Sequence, residues 1–588
     1  MTPSRPAALE ATRLWPAALA AVLLPTLISY DGAASPRAWQ QIAAFVGWGF
    51  FCTVLAKRLQ GAALAPAAGR LRWLFGALAV IAVGTWLAPL SQGVPPYVAL
   101  ATCGFLAATA LCAGLGALVQ RAGLGEEVFR RFCEALVAAA ACGVLIGAVQ
   151  FFMPQWTDTL FVAASNAGGR IGGNLRQPNL LCSLTLMGLA ALVWRFDAAW
   201  RQAPADRRGT VVAVVLALWL GAGAAATLSR TGAVSLGLLC VWALLDRGFS
   251  RRSRLLVAVF AVTFCLVWPN VYAWQPLEAF ALQNIVAERN AHVASMRVDL
   301  WLHCLELIRQ HPFAGVGWGE LNLAWTLTPL KRGVLHFPDH AHNLELHLAV
   351  ELGLPLAVLA CALLIGSLGS AVRAFFQAIE PDRRIARTAG MMVLVIVAHS
   401  QLEFPLWVAC LLLPTAFALG LALGARQVQD GPGVAPVSGR LGQALVAGAL
   451  ALTFGGLWGA ADFARTMRVS GAGAEAPEAV KGIVFYRLQA ERIADETLGL
   501  PLVDRDLARA AHVAPLLPAE TTAWAQRLAR QGETDKARYL VQRAREWGRK
   551  GPPPAFFEPC REDAAPETRP FQCAPPAGVW TFRDFQRP

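Results

Sequence analysis

The stretch PDHAHNLELHLAVELG, Pro338 to Gly353, sits where a loop rich in charges and prolines turns into a long apolar run. His340, His342 and Asn343 close the polar part, and Leu344 onward reads as a helix entering a membrane. About twenty predominantly apolar residues are what a helix needs to cross the hydrocarbon core. A histidine at such a boundary can take a proton from an acceptor whose partner substrate is anchored in lipid.

Similar apolar runs recur throughout the 588 residues, of which 56% are hydrophobic and only 15% charged. A soluble chain would carry roughly a quarter charged residues. The expected class is an all-α polytopic membrane protein. Spans are predicted at 14–30, 38–56, 73–90, 97–119, 133–153, 178–194, 210–228, 232–245, 255–272, 343–371, 388–404, 406–425 and 441–459, about thirteen in all. The first run could serve as a signal peptide, but no convincing small-residue cleavage site follows it.

The net charge of +13 would suggest nucleic acid as a partner in a soluble protein. Here the cations fall in alternate short loops, so no nucleic-acid partner is expected. One set of loops holds Lys57, Arg58, Arg70 and Arg72; Arg121, Arg130 and Arg131; Arg195 and Arg201; Arg247 and Arg251; Arg383 and Arg387; Arg426 and Arg440. These should face the cytoplasm. The N-terminus then lies inside, and an odd number of spans puts the C-terminus outside.

Four blocks follow. Residues 1–272 carry nine spans, 273–342 form a long outer loop, 343–459 carry four spans, and 460–588 form an outer helical region. The loop is too long for a simple connector. Within it, AHVASMRVDLWLHCLELIRQHP (Ala291–Pro312) repeats Leu300, Cys304 and Ile308 at helical spacing, with Trp301 and Leu305 beside them. That predicts an amphipathic helix lying on the membrane or on the spans. The glycines of HPFAGVGWGELN (His311–Asn322) mark a tight turn. Near the C-terminus, two helices are predicted around Gly532, resembling one tetratricopeptide unit. The stretch from Pro552 is proline-rich and is expected to be irregular.

Most of the thirteen cysteines lie in apolar runs. Cys560 and Cys573 instead lie in the polar tail, which the topology puts outside, where a disulfide can form. No CxxC or His/Cys spacing points to a metal, and no cofactor is expected.

Chemistry-bearing residues gather in the loops assigned to the outer face. Eight of nine histidines fall between His292 and His399. His292, His303, His311 and His336 read as ordinary surface groups. His342 is the candidate base, with Asn343 as a cap for the following helix. His340 lies two residues away, and His347 one turn beyond His342 reads as structural. GGRIGGNLRQPNLLC (Gly168–Cys182) offers Asn174, Arg176, Gln177 and Asn179 as a polar cradle, with a flexible loop and helix cap as the plainer reading. In TLSRTGAVSL (Thr227–Leu236), Arg230 stands between two apolar runs, where an unpaired arginine is unfavourable and its fork suits a diphosphate. Arg297 is a second candidate cation. HSQLEFPLW (His399–Trp407) adds Gln401 and Glu403.

Taken in order, GNLRQPN, LSRTG, HPFAGVGWG, His342-Asn343 followed after nine residues by Gly353, and LEFPLW resemble the bacterial O-antigen ligase and polymerase superfamily. The chain is most similar there to the protein O-oligosaccharyltransferases of the PglL type. The resemblance covers about 165–410. Phe404 stands where that branch would carry tyrosine, and Leu356 where ligases prefer a small residue or tyrosine. The resemblance implies transfer of an oligosaccharide from an undecaprenyl diphosphate carrier to hydroxyls of pilin-like or other periplasmic proteins, at the periplasmic face of the inner membrane. His342 would be the base, and Arg230 and Arg297 would stabilise the departing diphosphate without a metal. Asn174, Arg176, Gln177, Asn179, His340, Asn343, Gln401 and Glu403 would hold substrate. O-antigen ligation to lipid A–core and O-antigen polymerisation are the variants. A transporter is the rival from another class, but the polar motifs sit at one face and not at the midplane. A membrane anchor that presents the C-terminal helices would leave the loop motifs unexplained.

Overall fold

A computed structural model describes residues 5–30, 35, 37–65, 69–92, 94–164, 169–203, 205–274, 297–329, 338–427, 435–512, 514, 516–546, 554–560 and 570–586. His292 and His336 lie outside the described residues. Nine described helices are long and apolar enough to cross a membrane, and Arg13–Val22, Arg230–Leu245 and Ala409–Leu423 are apolar but shorter. Each stretch expected to span falls on helix, the remaining one on Asp382–Ser400. Beyond short pairings such as Ala63–Leu64 with Ala435–Pro436, the described secondary structure is helical.

The chain divides into two units. The first comprises 1–78, 104–290 and 362–460. Its centre is the helix Pro178–Gln202, whose most apolar window is 83% buried; apolar residues on all its faces allow helices to pack around it. Trp48, Phe51, Phe132 and Phe417 interlock nearby, mostly edge to face, at 5.2–6.3 Å between ring centres. Small residues let helix backbones touch. A Cβ on Gly420 would lie 2.0 Å from the Ala113 carbonyl oxygen, so only glycine permits that crossing.

The two sets of loops sit at opposite ends of this unit. At one end the basic loops are held by carboxylates and carbonyls: Arg58 with Glu127, Arg195 with Glu134, Arg387 with Asp246, and Arg426 with Asp382. Arg70 donates to the carbonyls of Leu423 and Ala425. At the other end, Gln41 bridges Trp407 and Ala409, while Gln150 bridges Ala163, Gly172 and Gly173.

The second unit comprises 79–103, 291–361 and 461–588. The long loop from 291 onward and the C-terminal region from 461, read as separate blocks from sequence order, therefore share one unit. Residues 297–310 are helical and bury Leu300, Cys304, Leu307 and Ile308, whereas Val298, Leu302 and Leu305 are exposed. Leu305 thus lies on the opposite face from the one expected. The stretch 343–371 is not one continuous helix. It breaks into Leu344–Leu352 and Leu354–Gln377 at Gly353, whose φ is +80°. A Cβ there would meet the Phe313 carbonyl oxygen at 2.3 Å, so the 311–319 turn occupies the space a side chain would need.

Helices Pro518–Arg530 and Thr534–Arg545 form the expected hairpin, with Gly532 at φ +86°. The described parts of the proline-rich tail fold into short 3-10 turns, as at Phe582–Phe585, and pack closely. Phe585 stacks on Tyr539 and meets Trp524 edge on, while Phe582 meets His311. Arg583 donates to the Gly315 carbonyl at 3.0 Å, and Tyr539 to that of Leu327 at 2.6 Å. The tail and the hairpin are fastened to the long loop.

Candidate active site

In the first unit, the start of Pro178–Gln202 is set by its sequence. Pro178 needs no hydrogen-bond acceptor for its nitrogen, and Gln177 caps the helix by accepting from the Leu180 N–H at 2.9 Å. Asn179 is then placed to donate to Glu403 Oε1 at 3.2 Å and to accept from Arg170 Nη2 at 3.4 Å. Arg170 also donates to the Thr227 carbonyl at 2.8 Å. Arg170, Asn179 and Glu403 thus link three segments at one end of the unit. Burial holds the Arg170 guanidinium below its usual range and Arg230 pushes the same way, while Tyr272, Cys182 and Glu403 oppose.

Arg230 opens the helix Arg230–Leu245, where Ser229 caps by accepting from Gly232 at 3.0 Å. Its side chain is exposed, beside Arg170 in charge terms. Two cations near the positive end of a helix make an anion-attracting surface. One turn into the neighbouring helix, Ser183 Oγ lies 2.7 Å from His399 Nδ1, both buried.

In the second unit, His342 has φ +53°, a left-handed conformation unfavourable for a residue with a Cβ. Asn343 caps the helix Leu344–Leu352 by accepting from Leu346 at 2.9 Å. The preceding turn is held at several points. Asn322 Nδ2 donates to Pro338 at 3.1 Å, Trp301 Nε1 to the Ala341 carbonyl at 3.0 Å, and the Ala341 N–H to His347 Nδ1 at 3.4 Å. The ring of His340 stacks on His347 at 5.3 Å and its Nδ1 lies 3.0 Å from Asp339. Burial holds the His340 imidazole below the ordinary histidine range against the pull of Asp339. Asp339 is exposed, and the hydrogen bond and charge of His340 bring its carboxyl down to about 2.

Glu351 is 2% exposed. It accepts from the N–H of Gly319 at 2.9 Å and of Leu321 at 3.3 Å, and lies 3.3 Å from His347 Nε2. A second buried pair joins Glu320 to His512 at 2.6 Å, with Gln586 donating to the same carboxylate at 3.1 Å. Among the described residues, the non-glycine positions with positive φ are Asp158, Arg176, Leu228 and His342. Three of these four lie in the stretches singled out by sequence, and strained backbone concentrates at functional sites.

A family model described as O-antigen ligase matches residues 212–361, one described as protein glycosylation ligase matches 171–196, and one described as virulence factor membrane-bound polymerase, C-terminal, matches 388–547. Over these segments the chain is similar to O-antigen ligases and protein glycosylation ligases. Two curated relatives come from Acinetobacter baylyi (strain ATCC 33305 / BD413 / ADP1). A general O-oligosaccharyltransferase is 29% identical over 145 residues, 24% of each chain. A ComP-specific O-oligosaccharyltransferase is 26% identical over 277 residues, 45% of this chain and 46% of that one. The chain thus spans less than half the length of either relative.

The superfamily matches run over the geometry just described. The 171–196 segment carries Asn174 to Asn179, 212–361 carries Arg230, Arg297 and His340 to Asn343, and 388–547 carries Gln401 and Glu403. Two of the residues expected to hold substrate make hydrogen bonds within the chain. Asn174 is 1% exposed; its amide donates to the carbonyls of Leu27 and Phe161 and accepts from Ala163, which leaves it engaged by backbone on every side. Gln177 uses its carbonyl oxygen as a helix cap. Arg176, at φ +56°, reaches the Ser29 carbonyl. Arg297 is the first described residue of the helix that includes 297–310 in the second unit, and it is half-buried. Gln401 caps Asp382–Ser400 at its C-terminal end.

Sequence reading did not single out Arg170, Glu351, Glu320 or His512. For Glu351 a signal was present, since it stands four residues after His347, on the same helix face.

Proposed function

We propose that the chain transfers an oligosaccharide en bloc from undecaprenyl diphosphate to Ser or Thr hydroxyls of periplasmic or pilin-like proteins. It acts as a multi-pass protein of the bacterial inner membrane, with the reacting groups on the periplasmic side and the N-terminus in the cytoplasm. His342 carries this reading: a histidine held in a left-handed turn, directly before a capped helix, within the segment that matches O-antigen ligases.

In the step envisaged, an imidazole nitrogen of His342 takes the acceptor proton as its oxygen attacks C1 of the first sugar. The bond from C1 to the diphosphate oxygen breaks, and undecaprenyl diphosphate leaves with the electron pair. Arg230 and Arg297 stabilise the charge that develops on it, which lets the reaction proceed without a metal. Arg176, Asn179, His340, Asn343, Gln401 and Glu403 contribute to holding donor or acceptor.

The match to protein glycosylation ligase at 171–196 and the two O-oligosaccharyltransferase relatives support a protein acceptor. The O-antigen ligase match supports a second reading, in which lipid A–core is the acceptor. Co-expression with a lipid-linked glycan pathway and a candidate pilin tests both. Mass spectrometry should find a Ser- or Thr-linked oligosaccharide on the pilin. Glycan found only on lipid A–core would favour the second reading, and glycan on neither would remove both.

A further inference from the structure

Glu351 joins the helix Leu344–Leu352 to the turn GVGWGEL, Gly315 to Leu321. Its carboxylate takes the Gly319 and Leu321 N–H groups, which fixes it to the GVGWGEL turn. It also lies 3.3 Å from His347 Nε2, while His347 Nδ1 faces the Ala341 N–H at 3.4 Å. An imidazole that accepts at Nδ1 carries its proton on Nε2, which lies 3.3 Å from the Glu351 carboxylate. The carboxylate therefore sets both the tautomer and the ring plane of His347. Ala341 is fully buried, and the next residue is His342 at φ +53°.

We propose that Glu351 and His347 are positioning residues that hold the turn before His342 in its left-handed conformation. The proposal rests on reading His342 as the base. Neither residue touches substrate. Glu351 fixes His347, His347 accepts from Ala341, and the direction of the His342 side chain follows. Trp301 and Asn322 secure the same turn from the helices 297–310 and Leu321–Leu327, so a change at His347 should move the turn without unfolding the unit. Misplacement of about 1 Å at a reacting group can lower a rate by about a hundredfold.

Two variants of His347 separate positioning from packing. In His347→Asn, the side-chain oxygen overlays Nδ1 and can accept from Ala341, although the residue is smaller. In His347→Gln, the amide overlays Nε2 and leaves Ala341 without that acceptor, although more volume is filled. Positioning predicts that Asn retains more activity than Gln; packing predicts the reverse order. With purified full-length enzyme, lipid-linked oligosaccharide and an acceptor protein, kcat should fall at least tenfold in His347→Gln. KM for the donor should stay within about twofold, and His347→Asn should fall in between. Glu351→Gln should behave like His347→Gln.

A readout independent of activity is carbethoxylation of His342, followed by peptide mass mapping. Its rate should change in His347→Gln and stay near wild type in His347→Asn. Equal activities and equal His342 reactivities in the two variants, or Gln above Asn in both, would overturn the proposal. The expected reactivity order with transfer unaffected in every variant would keep the link between His347 and the turn but remove His342 as base. If Glu351→Gln fails to accumulate in the membrane, the His347 pair decides alone.

Discussion

Asn179 donates to Glu403 at 3.2 Å across 224 positions of sequence, and the same side chain accepts from Arg170 at 3.4 Å. The amide thereby stands between a carboxylate and a guanidinium at one end of the helical unit. Replacing it with Leu leaves the Glu403 carboxylate, 7% exposed, without that donor. A buried polar group deprived of its partner costs about 1–3 kcal/mol. Asn179→Leu should therefore lower the thermal midpoint in detergent and reduce transfer, while Asn179→Gln should fall between it and wild type. An unchanged midpoint in the Leu variant would show that the bridge contributes no stability.

His342→Ala should abolish transfer without loss of protein from the membrane. His342→Gly should be equally inactive but more stable than the Ala variant. The reason is φ +53°, which glycine adopts freely and a residue with a Cβ does not, a difference of about 1–2 kcal/mol. Thermal midpoints of the two variants check the order. An Ala variant at least as stable as the Gly variant would contradict the left-handed turn, and near-normal transfer in either would shift attention to His340.

Arg230→Lys keeps the charge but loses the fork that fits a diphosphate. Transfer should fall sharply, by an order of magnitude or more, whereas membrane accumulation should stay the same because the side chain is exposed. A steady-state transfer assay at saturating acceptor reads it. Equal activity with Lys would mean that Arg230 acts only as a diffuse charge.

What could be read in advance follows from locality. The Asn343 cap and the start of its helix are encoded within four residues, so the sequence displays them directly. The break at Gly353 was not visible, because it is imposed by the Phe313 carbonyl, which arrives from another segment. Asn174 looked like a sugar contact because it is polar in a glycine-rich loop. Its hydrogen bonds to the carbonyls of Leu27 and Phe161 and from the Ala163 N–H come from segments that spacing does not reveal. Arg170, which meets Asn179 and the Thr227 carbonyl, and the Glu320–His512 pair were hidden because no spacing rule links these partners.

Acid should weaken the His342 turn. His340 is held below the ordinary histidine value by burial, with Asp339 opposing and His347 and Glu351 also facing it. The unfolded chain takes a proton near pH 6.5, where the folded imidazole still stays neutral. The stability His340 contributes is therefore full above that pH and is lost as pH falls below it. Asp339, brought down to about 2, loses its contribution only in a lower window, below about pH 4. The thermal midpoint should decline from pH 7.5 to 5.5, and His340→Phe, which keeps a stacking ring but cannot titrate, should flatten that decline. Identical slopes would remove His340 as the source.

Cys560 and Cys573 are joined by a disulfide, with their Cα atoms 5.2 Å apart. The bonded half-cystines lie in the tail that packs beside Thr534–Arg545. Arg545 donates to the Gln572 carbonyl at 2.8 Å and stacks over Phe557 at 4.3 Å, so residues beside both half-cystines are pinned to that helix. Closing a loop of this size contributes about 3 kcal/mol in the chain-entropy model. Cys560→Ser should loosen the tail locally, seen as faster proteolysis after Arg545, with little change in transfer. The bridge also reports on topology, because a disulfide persists only on an oxidising side of the membrane. In intact cells, a thiol-alkylating reagent should modify both cysteines only after a membrane-impermeant reductant is added. Labelling of both without reductant would show that the bridge is absent, and labelling only after the membrane is breached would place the C-terminus in the cytoplasm.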